Sequence, residues 1–439
     1  RNESGLLGAV APGGLGAVER PVGALDRAVD VALAQAAADP GREGDAQARL
    51  DLVEGLLAQL DRRMFEVVAF YLYPSGDHIT KRVECHVDRF IRIDQMNAQQ
   101  RFQAIRDAQI DIAIDLSGHT GSNALDVLMR KPAPIQISWL GYPATTGLAA
   151  VDYKFTDEVT EPPSADDQYA ETLYRLPTLF CCYRPMIRGP LLRYQPMYQV
   201  QPTPALRNGY ITFGTCNNLG KLTDQVLALW GRIVQSIPGS RLLVEGKNLS
   251  HASMATSFRQ RCDRLGLDSE RLILVEQETK NQYLTYHRID IALDPFPLTG
   301  GTTTFDTLWM GVPLVSMSGD SFKSRMGVGI LSYLGRTEWL VDTEDEYLRV
   351  AQTLAADVNQ LNQLRLGLRD EVEQIVIENH HQAIIDYRTF ATTRALREKR
   401  SRSNYRGVKI NDNVYSGFLQ CGDCGSPLFA MSRSDLAPA

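Results

Sequence analysis

Length, composition and charge exclude several classes of protein. The chain has 439 residues, of which 44% are apolar and 22% charged, with a formal net charge of −6. This is enough for two or three hydrophobic cores. No apolar run reaches the roughly 18 residues that a membrane-spanning helix needs and no signal peptide is legible, so we expect a soluble, cytoplasmic protein. The seven cysteines are odd in number and mostly scattered, which fits a reducing compartment better than a disulfide scaffold.

The beginning of the chain carries little structural signal. Residues 1–50 are rich in alanine and glycine, with glycine breaks at residues 11–14 and 40–42. Residues 24–38 have some helical character, but their apolar side chains are mostly small. We therefore expect residues 1–60 to form a weakly ordered segment outside the folded domains.

Strand and helix patterns alternate through the rest of the chain. The first half reads as a strand, a helix and a strand at residues 65–73, 98–108 and 110–116. A proline-rich stretch at residues 186–208 is the best interdomain linker, and a second alternation runs over residues 210–368. This pattern predicts an α/β protein with parallel sheets. We expect two Rossmann-like, doubly wound domains at residues 61–205 and 206–372.

The most informative stretch is residues 294–306, with the sequence DPFPLTGGTTTFD. An apolar run ends just before it, Gly300 and Gly301 follow, and a helical pattern begins at Thr302. Glycines let the backbone approach a ligand closely, and we expect a positive φ at Gly301. The amides of Thr302 and Thr303 then lie at the positive end of the helix dipole, which suits a diphosphate. The alternative is an ordinary βα turn capped by threonine.

Lys221 lies in a second loop of the same kind, between the end of a strand and the start of a helix. The strand covers residues 210–214, and the helical pattern covers residues 223–236. Its apolar positions share one face: Val226, Leu227, Trp230, Ile233 and Val234. A lysine between such elements can neutralise a departing diphosphate without a metal ion. The alternative for Lys221 is a solvated loop charge.

Two titratable residues lie near the end of the strand at residues 110–116, one within it and one in the loop that follows. His119 lies in a glycine-containing loop and is a candidate general base, or else a hydrogen-bonded loop histidine. Asp115 is a second candidate base, and its alternative role is to cap the same loop. Both residues are kept as candidate catalytic groups.

Five short strings occur in the chain, at residues 117–120, 130–134, 140–147, 311–313 and 324–327. In this order they resemble the catalytic region of the O-GlcNAc transferase family, glycosyltransferase family 41, especially its bacterial members. The resemblance implies a metal-independent GT-B enzyme whose two Rossmann-like domains face a cleft. It implies inverting transfer of a sugar to Ser or Thr hydroxyls of a protein acceptor. UDP-GlcNAc is the favoured donor, and GDP-fucose is the alternative.

The resemblance also assigns the donor site, residue by residue. Lys221 corresponds to the family lysine on the donor diphosphate, with Asn218 at the polar position beside it. Thr302 and Thr303 correspond to the pair that hydrogen-bonds the phosphates. Asp306 corresponds to the acid that binds the ribose hydroxyls, and it lies about one helical turn further along.

Two departures from the family pattern bear on function. Family members place a histidine, and sometimes an arginine, against the nucleobase, where this chain has Gln282 and Thr285. The base of the donor is therefore left open. The family's first strand, with the histidine loop that follows it, has no match in residues 1–60. We therefore expect donor binding but poor sugar transfer.

The last segment, residues 373–439, does not continue the α/β pattern. Residues 387–439 hold nine Lys and Arg against four acids, a net charge of +5. The segment resembles the zinc-ribbon region of large serine recombinases, and Cys421 and Cys424 form a CxxC pair that supplies at most half of a tetrahedral zinc site. A function of another class, a recombinase-derived DNA-binding fragment, therefore stays open, with weak nucleic-acid binding through the basic residues.

Overall fold

A computed structural model of the chain describes residues 29–35, 53, 56–57, 60–63, 65–73, 78–121, 123–183, 185, 196–277 and 283–378. These residues form two parallel β-sheets accompanied by helices. The predicted α/β class with two doubly wound domains is confirmed. Within these ranges, no helix is long and apolar enough to cross a membrane.

The first domain is built on a sheet of seven described strands. They are β1 (Val29–Gln35), β2 (Phe65–Tyr71), β3 (Arg89–Arg92), β4 (Ile112–Asp115), β5 (Ile135–Ser138), β6 (Tyr153–Asp157) and β7 (Thr172–Leu176). They lie side by side in the order β3-β2-β1-β4-β5-β6-β7, and all neighbours pair in parallel. The helices are α1 (His78–Glu84), α2 (Ala98–Asp107) and α3 (Leu125–Leu128), with a 3₁₀ turn at Pro163–Gln168. Helix α2 begins where it does because Asn97 and Gln100 form a capping box.

Strand β1 lies inside this sheet, between β2 and β4, although its segment was predicted to be weakly ordered. It pairs with β2 through Val31 and Val67, and with β4 through Val31 and Ile112. Val53 and Leu57 of the same segment are buried in the first core. The expectation that residues 1–60 supply no first strand is therefore wrong. Alanine in the sequence VDVALAQ hid the strand, because alanine favours helices and packs little surface in a sheet.

The predicted absence of the family's histidine loop is a separate point. That loop follows the first strand in the family pattern, and the residues directly after β1 lie outside the described ones. Poor sugar transfer was expected because both the first strand and the histidine loop appeared to be missing. Since the strand is present, only the missing histidine loop still supports that prediction.

The second domain has a sheet of six described strands. They are β8 (Thr212–Thr215), β9 (Arg241–Gly246), β10 (Leu272–Glu276), β11 (Ile291–Leu293), β12 (Leu314–Met317) and β13 (Leu340–Val341), in the spatial order β10-β9-β8-β11-β12-β13. The helices are α4 (Ala205–Asn208), α5 (Asp224–Ser236), α6 (Ala252–Arg264), α7 (Thr302–Trp309), α8 (Phe322–Tyr333), α9 (Glu344–Ala355) and α10 (Val358–Glu378). The 3₁₀ turns are Pro196–Tyr198, Leu219–Lys221, Ser269–Arg271, Leu284–Arg288 and Thr337–Trp339. The predicted apolar face of α5 is buried in the core of this domain.

Residues 179–183 link the two domains. The backbone of Phe180 is held by the first domain, because its amide donates to Asp157 Oδ2 at 2.9 Å and its carbonyl accepts from Trp139 Nε1 at 2.7 Å. The Phe180 side chain packs into the second domain, where its ring centroid lies 4.8 Å from that of Phe322. This linking segment therefore belongs to both domains.

The domain boundary falls earlier than the sequence indicated. Asp290 of the second domain accepts hydrogen bonds from the hydroxyl of Thr203 and from the amides of Ala205 and Thr212, the two amides at 2.8 Å each. These contacts tie residues just before 205 to the second sheet. The prediction had placed them in the first domain because the prolines nearby are typical of a free linker.

Candidate active site

The two segments predicted to bind a donor meet at one point of the second sheet. β8 and β11 are neighbours, but the chain runs outward through β9 and β10 before it returns to β11. In doubly wound sheets, ligands bind outside the carboxyl ends of the strands at such a reversal. The loop after β8 carries Lys221, and the loop after β11 carries Gly300 and Gly301. We call residues 294–301 the glycine loop.

Lys221 is held against the glycine loop by its own hydrogen bonds. It ends the 3₁₀ turn Leu219–Lys221, which the side chain of Asn218 caps. Its ammonium group donates to Asn217 Oδ1 at 3.1 Å and to Thr299 O at 2.9 Å. The structure thus assigns the lysine contact to Asn217, whereas the family pattern had drawn attention to Asn218.

Asp294 shapes the glycine loop from its buried side. Its carboxylate accepts from the Gly300 amide at 2.8 Å and from Ser316 Oγ at 2.7 Å. Burial raises the pKa of Asp294 to about 6, although the bonds from Ser316 and Gly300 and the charge of Lys221 act to lower it. The contact of Asp294 with Ser316 could not be predicted from the sequence, because a hydrogen-bond partner 22 residues away leaves no local pattern.

Gly300 is required by close packing rather than by backbone conformation. A Cβ atom there would lie 2.3 Å from Thr304 Oγ1 and 3.0 Å from Asp294 Oδ1, so a side chain does not fit without movement of the helix. Gly301 has a φ of −116°, so the predicted positive φ is wrong. A Cβ atom at Gly301 would meet Met326 Sδ at 3.6 Å, which is an ordinary contact. The loop depends on Gly300 more than on Gly301.

The helix α7 begins at the position where the sequence predicted an anion site. Thr302 and Thr303 form its first turn and are partly exposed. The first amides of a helix have no carbonyl acceptor within the helix, and the helix dipole adds partial positive charge there. With the Lys221 ammonium group held nearby through Thr299, this arrangement is typical of a phosphate site.

Asp306 lies one turn further along α7 and is only 7% exposed. Its Oδ1 accepts a hydrogen bond from the hydroxyl of Tyr183, 123 residues earlier in the chain. The Tyr183 ring stacks on Phe305, with centroids 4.7 Å apart and an angle of 7° between the planes. Burial, and then the charge of Asp306, raises the pKa of Tyr183 well above its ordinary value, so the hydroxyl keeps its proton and donates it to the bond.

Asp115 caps the loop after β4 in the first domain. It is 2% exposed, and its two oxygens accept from the amides of Ser117 at 3.1 Å and Gly118 at 2.8 Å. These hydrogen bonds are the ones expected if Asp115 caps the loop, which was its alternative role. The role of Asp115 as a base stays a prediction.

His119 is exposed but oriented by two contacts. Its Nε2 lies 2.8 Å from the carbonyl oxygen of Thr146, and its ring packs edge-on against Tyr142 with centroids 5.1 Å apart. A carbonyl oxygen can only accept a hydrogen bond, so Nε2 must carry the hydrogen. In the neutral ring, Nδ1 is then the nitrogen able to take a proton. This orientation fits a general base.

The loop that supports His119, residues 140–147, is held by buried charged side chains. Glu171 accepts from the amide of Thr146 at 2.6 Å. Lys154 on β6 donates to the carbonyl oxygen of Tyr142 at 3.1 Å. Both residues are at least 96% buried, and sequence analysis named neither of them.

Burial shifts the pKa of two ionisable side chains in this region, Lys154 and Glu161. Burial lowers the pKa of Lys154, and the charges of Glu161, Glu171 and Asp115 oppose that shift. Burial raises the pKa of Glu161 to about 7, and the charge of Lys154 is the largest opposing influence. The first domain therefore contains a charged cluster of Asp115, Lys154, Glu161 and Glu171 beneath the loops that carry His119.

The positions predicted to face the nucleobase are only partly described. Thr285 is buried, whereas Gln282 lies outside the described residues. Tyr283 and Tyr286, on either side of Thr285, pack into the core of the second domain. The tyrosines of this stretch therefore serve the packing of the core. The identity of the nucleobase in the donor stays a prediction.

Cys421 and Cys424, the predicted half zinc site, lie outside the described residues, as do residues 379–439 altogether. Among the residues that are described, no group of three or more His, Cys, Asp or Glu is arranged to hold a metal ion. The alternative of a DNA-binding fragment rested on this basic tail, and nothing in the described part of the chain supports it.

Curated plant proteins are similar to this chain. A protein of Arabidopsis thaliana, named probable UDP-N-acetylglucosamine–peptide N-acetylglucosaminyltransferase SPINDLY, is 42% identical over 328 residues, covering 72% of this chain and 35% of that protein. The protein of the same name from Petunia hybrida is 38% identical over 328 residues, covering 72% and 34%. The chain thus spans about a third of the length of these relatives.

Solved structures show the same fold. A mutant O-GlcNAc transferase of Thermobaculum terrenum is 27% identical, with a TM-score of 0.73 over 86% of this chain and 67% of that chain. An Anabaena protein in complex with UDP and glucose is 11% identical, with a TM-score of 0.51 over 85% of this chain and all of that chain. The second likeness shows the fold alone.

The sequence profile of glycosyl transferase family 41 matches residues 50–187 and 197–386. The match begins inside the segment predicted to be unmatched, residues 1–60. It also passes residue 373, where the recombinase-like tail was predicted to begin, so residues 373–386 follow the family and the recombinase resemblance has no support there. Most of the chain is covered, including both halves of the site described above. The chain belongs to glycosyltransferase family 41, the O-GlcNAc transferase family.

Proposed function

We propose that this protein transfers N-acetylglucosamine from UDP-GlcNAc to a serine or threonine hydroxyl of a protein acceptor. One observation carries the proposal: the Lys221 ammonium group is bonded to Thr299 beside the start of α7, so that a cation and the first helix amides converge. The names of the plant relatives, UDP-N-acetylglucosamine–peptide N-acetylglucosaminyltransferases, favour this donor and this acceptor.

The donor binds to the second domain in this scheme. Its diphosphate lies against the amides of Thr302 and Thr303, with Lys221 beside it, and its ribose hydroxyls bond to Asp306. The close fit of Gly300 against Thr304 and Asp294 fixes the backbone of the loop directly before α7. Lys221 and the helix start provide the positive charge that stabilises the departing diphosphate.

The acceptor reacts from the side of the first domain. Nδ1 of His119 takes the proton of the serine or threonine hydroxyl, whose oxygen forms a bond to the anomeric carbon of the sugar. The bond from that carbon to the diphosphate oxygen breaks, and its electron pair leaves with the diphosphate. A single displacement of this kind inverts the configuration at the anomeric carbon.

The test is a thermal-unfolding panel with UDP, GDP and their sugar conjugates, followed by a transfer assay on peptides. UDP and UDP-GlcNAc should stabilise the protein, by about 2.7 kcal/mol at a hundredfold excess over the dissociation constant. Lys221→Ala should remove most of this effect. Arg349→Ala, which removes an exposed charge on α9, is the matched control and should leave it unchanged. Stabilisation by GDP alone, or by neither nucleotide, would overturn the proposed donor.

A further inference from the structure

Tyr183 reaches the donor site from the segment that links the two domains. Its neighbour Phe180 is bonded through its backbone to Asp157 and Trp139 of the first domain. Tyr183 itself is 2% exposed and packs in the core of the second domain. The side chain is thus fixed at a point that neither Rossmann-like sheet supplies by itself.

The ring and the hydroxyl of Tyr183 both contact α7, and the hydroxyl also lies within hydrogen-bond reach of Tyr283. The ring lies flat on Phe305, and the hydroxyl donates to Oδ1 of the next residue, Asp306. A hydrogen bond to a carboxylate is stronger than one between neutral groups, so it restricts how the carboxylate can turn. A carboxylate also has about four lone-pair sites, so Asp306 can accept from Tyr183 and from ribose hydroxyls at once.

We propose that Tyr183 is a positioning residue for the donor ribose: its hydroxyl holds the Asp306 carboxylate in the orientation that accepts the two ribose hydroxyls. The inference rests on the proposed function, because that function assigns Asp306 to the ribose. It means that a residue of the interdomain segment, outside the glycine loop and α7, contributes to recognition of the nucleotide through Asp306.

The experiment compares two nucleotides by isothermal titration calorimetry, UDP and 2′,3′-dideoxy-UDP, which lacks both ribose hydroxyls. The parent protein should bind UDP about tenfold or more tightly than the dideoxy nucleotide. Tyr183→Phe keeps the stacked ring and removes only the hydroxyl. This variant should bind UDP about three- to tenfold more weakly than the parent does, and its affinity for the dideoxy nucleotide should be unchanged. Tyr210→Phe removes a hydroxyl before the amino end of β8 and should change neither affinity.

If Tyr183 had a purely structural role, Tyr183→Phe would lower the affinities for both nucleotides by the same factor. That result, or unchanged affinities for both, overturns the inference. If the parent does not bind UDP at all, the proposed function has failed and the inference falls with it. Asp306→Asn decides the matter if Tyr183→Phe does not fold. This variant should bind UDP and the dideoxy nucleotide almost equally, and retained discrimination would show that Asp306 is not the group that Tyr183 positions.

Discussion

The donor half of the site and the acceptor half are built in different ways. On the proposed donor side, Lys221 is bonded to the backbone of the glycine loop at Thr299, and the helix that follows this loop begins at Thr302. On the acceptor side, His119 is exposed and depends on residues 140–147, a loop held by the buried side chains of Glu171 and Lys154.

This difference separates binding from chemistry. In the proposed mechanism the donor half uses helix amides, Lys221 and the Asp306 carboxylate, so donor affinity should respond to changes in the glycine loop. The acceptor half uses a titratable side chain on a loop supported by buried charges, so turnover and the pH dependence of stability should respond there. Substitutions in the two halves should therefore change different measured quantities, and by different amounts.

The largest effect should come from His119→Gln. The glutamine amide can still donate to the carbonyl of Thr146, but it cannot take a proton. Loss of a general base typically costs 10²–10⁴ in rate, so kcat for peptide glycosylation should fall by about that factor. Steady-state transfer assays measure it. A variant that keeps more than about a tenth of the parent kcat would remove His119 from the chemistry.

Lys221→Ala should be next in size and should affect both halves of the reaction. Removing one group that stabilises a departing charge costs about 10²–10³ in rate. UDP binding should weaken by about 1.5 to 3 kcal/mol, the range for a hydrogen bond to a charged group. Uridine, which has no phosphate, should bind equally to both proteins. Equal loss for uridine would indicate a disturbed fold rather than a missing phosphate contact.

The two glycines of the loop form a matched pair. Gly300→Ala forces a Cβ atom against Thr304 and Asp294, so we expect a stability loss of about 1–3 kcal/mol and about tenfold weaker UDP binding. Gly301→Ala makes an ordinary contact with Met326 and should be tolerated in both measurements. Chemical denaturation and calorimetry give the two quantities. Equal tolerance at both positions would contradict the packing argument.

The last effect concerns the pH dependence of stability at Glu161. Its ordinary pKa of 4.5 applies to the unfolded chain, and burial raises the folded value to about 7. The folded state therefore binds this proton more tightly, so its stabilising contribution is complete below pH 4.5 and is lost as the pH rises to about 7. A pKa difference of this size corresponds to at most about 3 kcal/mol.

Urea unfolding of parent and Glu161→Gln at pH 5 and pH 7.5 checks this prediction. The glutamine cannot ionise, so the variant should lose less stability than the parent between the two values. Glu158→Gln, at an exposed position nearby, is the control and should follow the parent. Parallel pH curves for parent and Glu161→Gln would exclude the proposed titration.

Local sequence patterns were enough to predict the elements of the proposed donor half. The start of α7 at Thr302 and the position of Lys221 after β8 both follow from strand, glycine and helix signals within about 15 residues. The apolar face of α5 follows from its helical spacing alone. Each of these elements is determined by residues that are close together in the chain.

The parts that escaped prediction depend on distant partners. Tyr183 meets Asp306 across 123 residues, Asp294 meets Ser316 across 22, and Glu171 meets Thr146 across 25. No periodic pattern reports such pairs. Strand β1 was missed for another reason, because its alanine-rich sequence becomes a strand only through pairing with β2 and β4 on both sides.

The central claim is that donor binding resides in the second domain and acceptor activation in the first. Calorimetric titration of UDP-GlcNAc into the parent, Lys221→Ala and His119→Gln tests it most directly. The account predicts that Lys221→Ala weakens donor binding by about 1.5 to 3 kcal/mol, whereas His119→Gln binds like the parent. Equal weakening by both variants, or parent-like binding by Lys221→Ala, would contradict it.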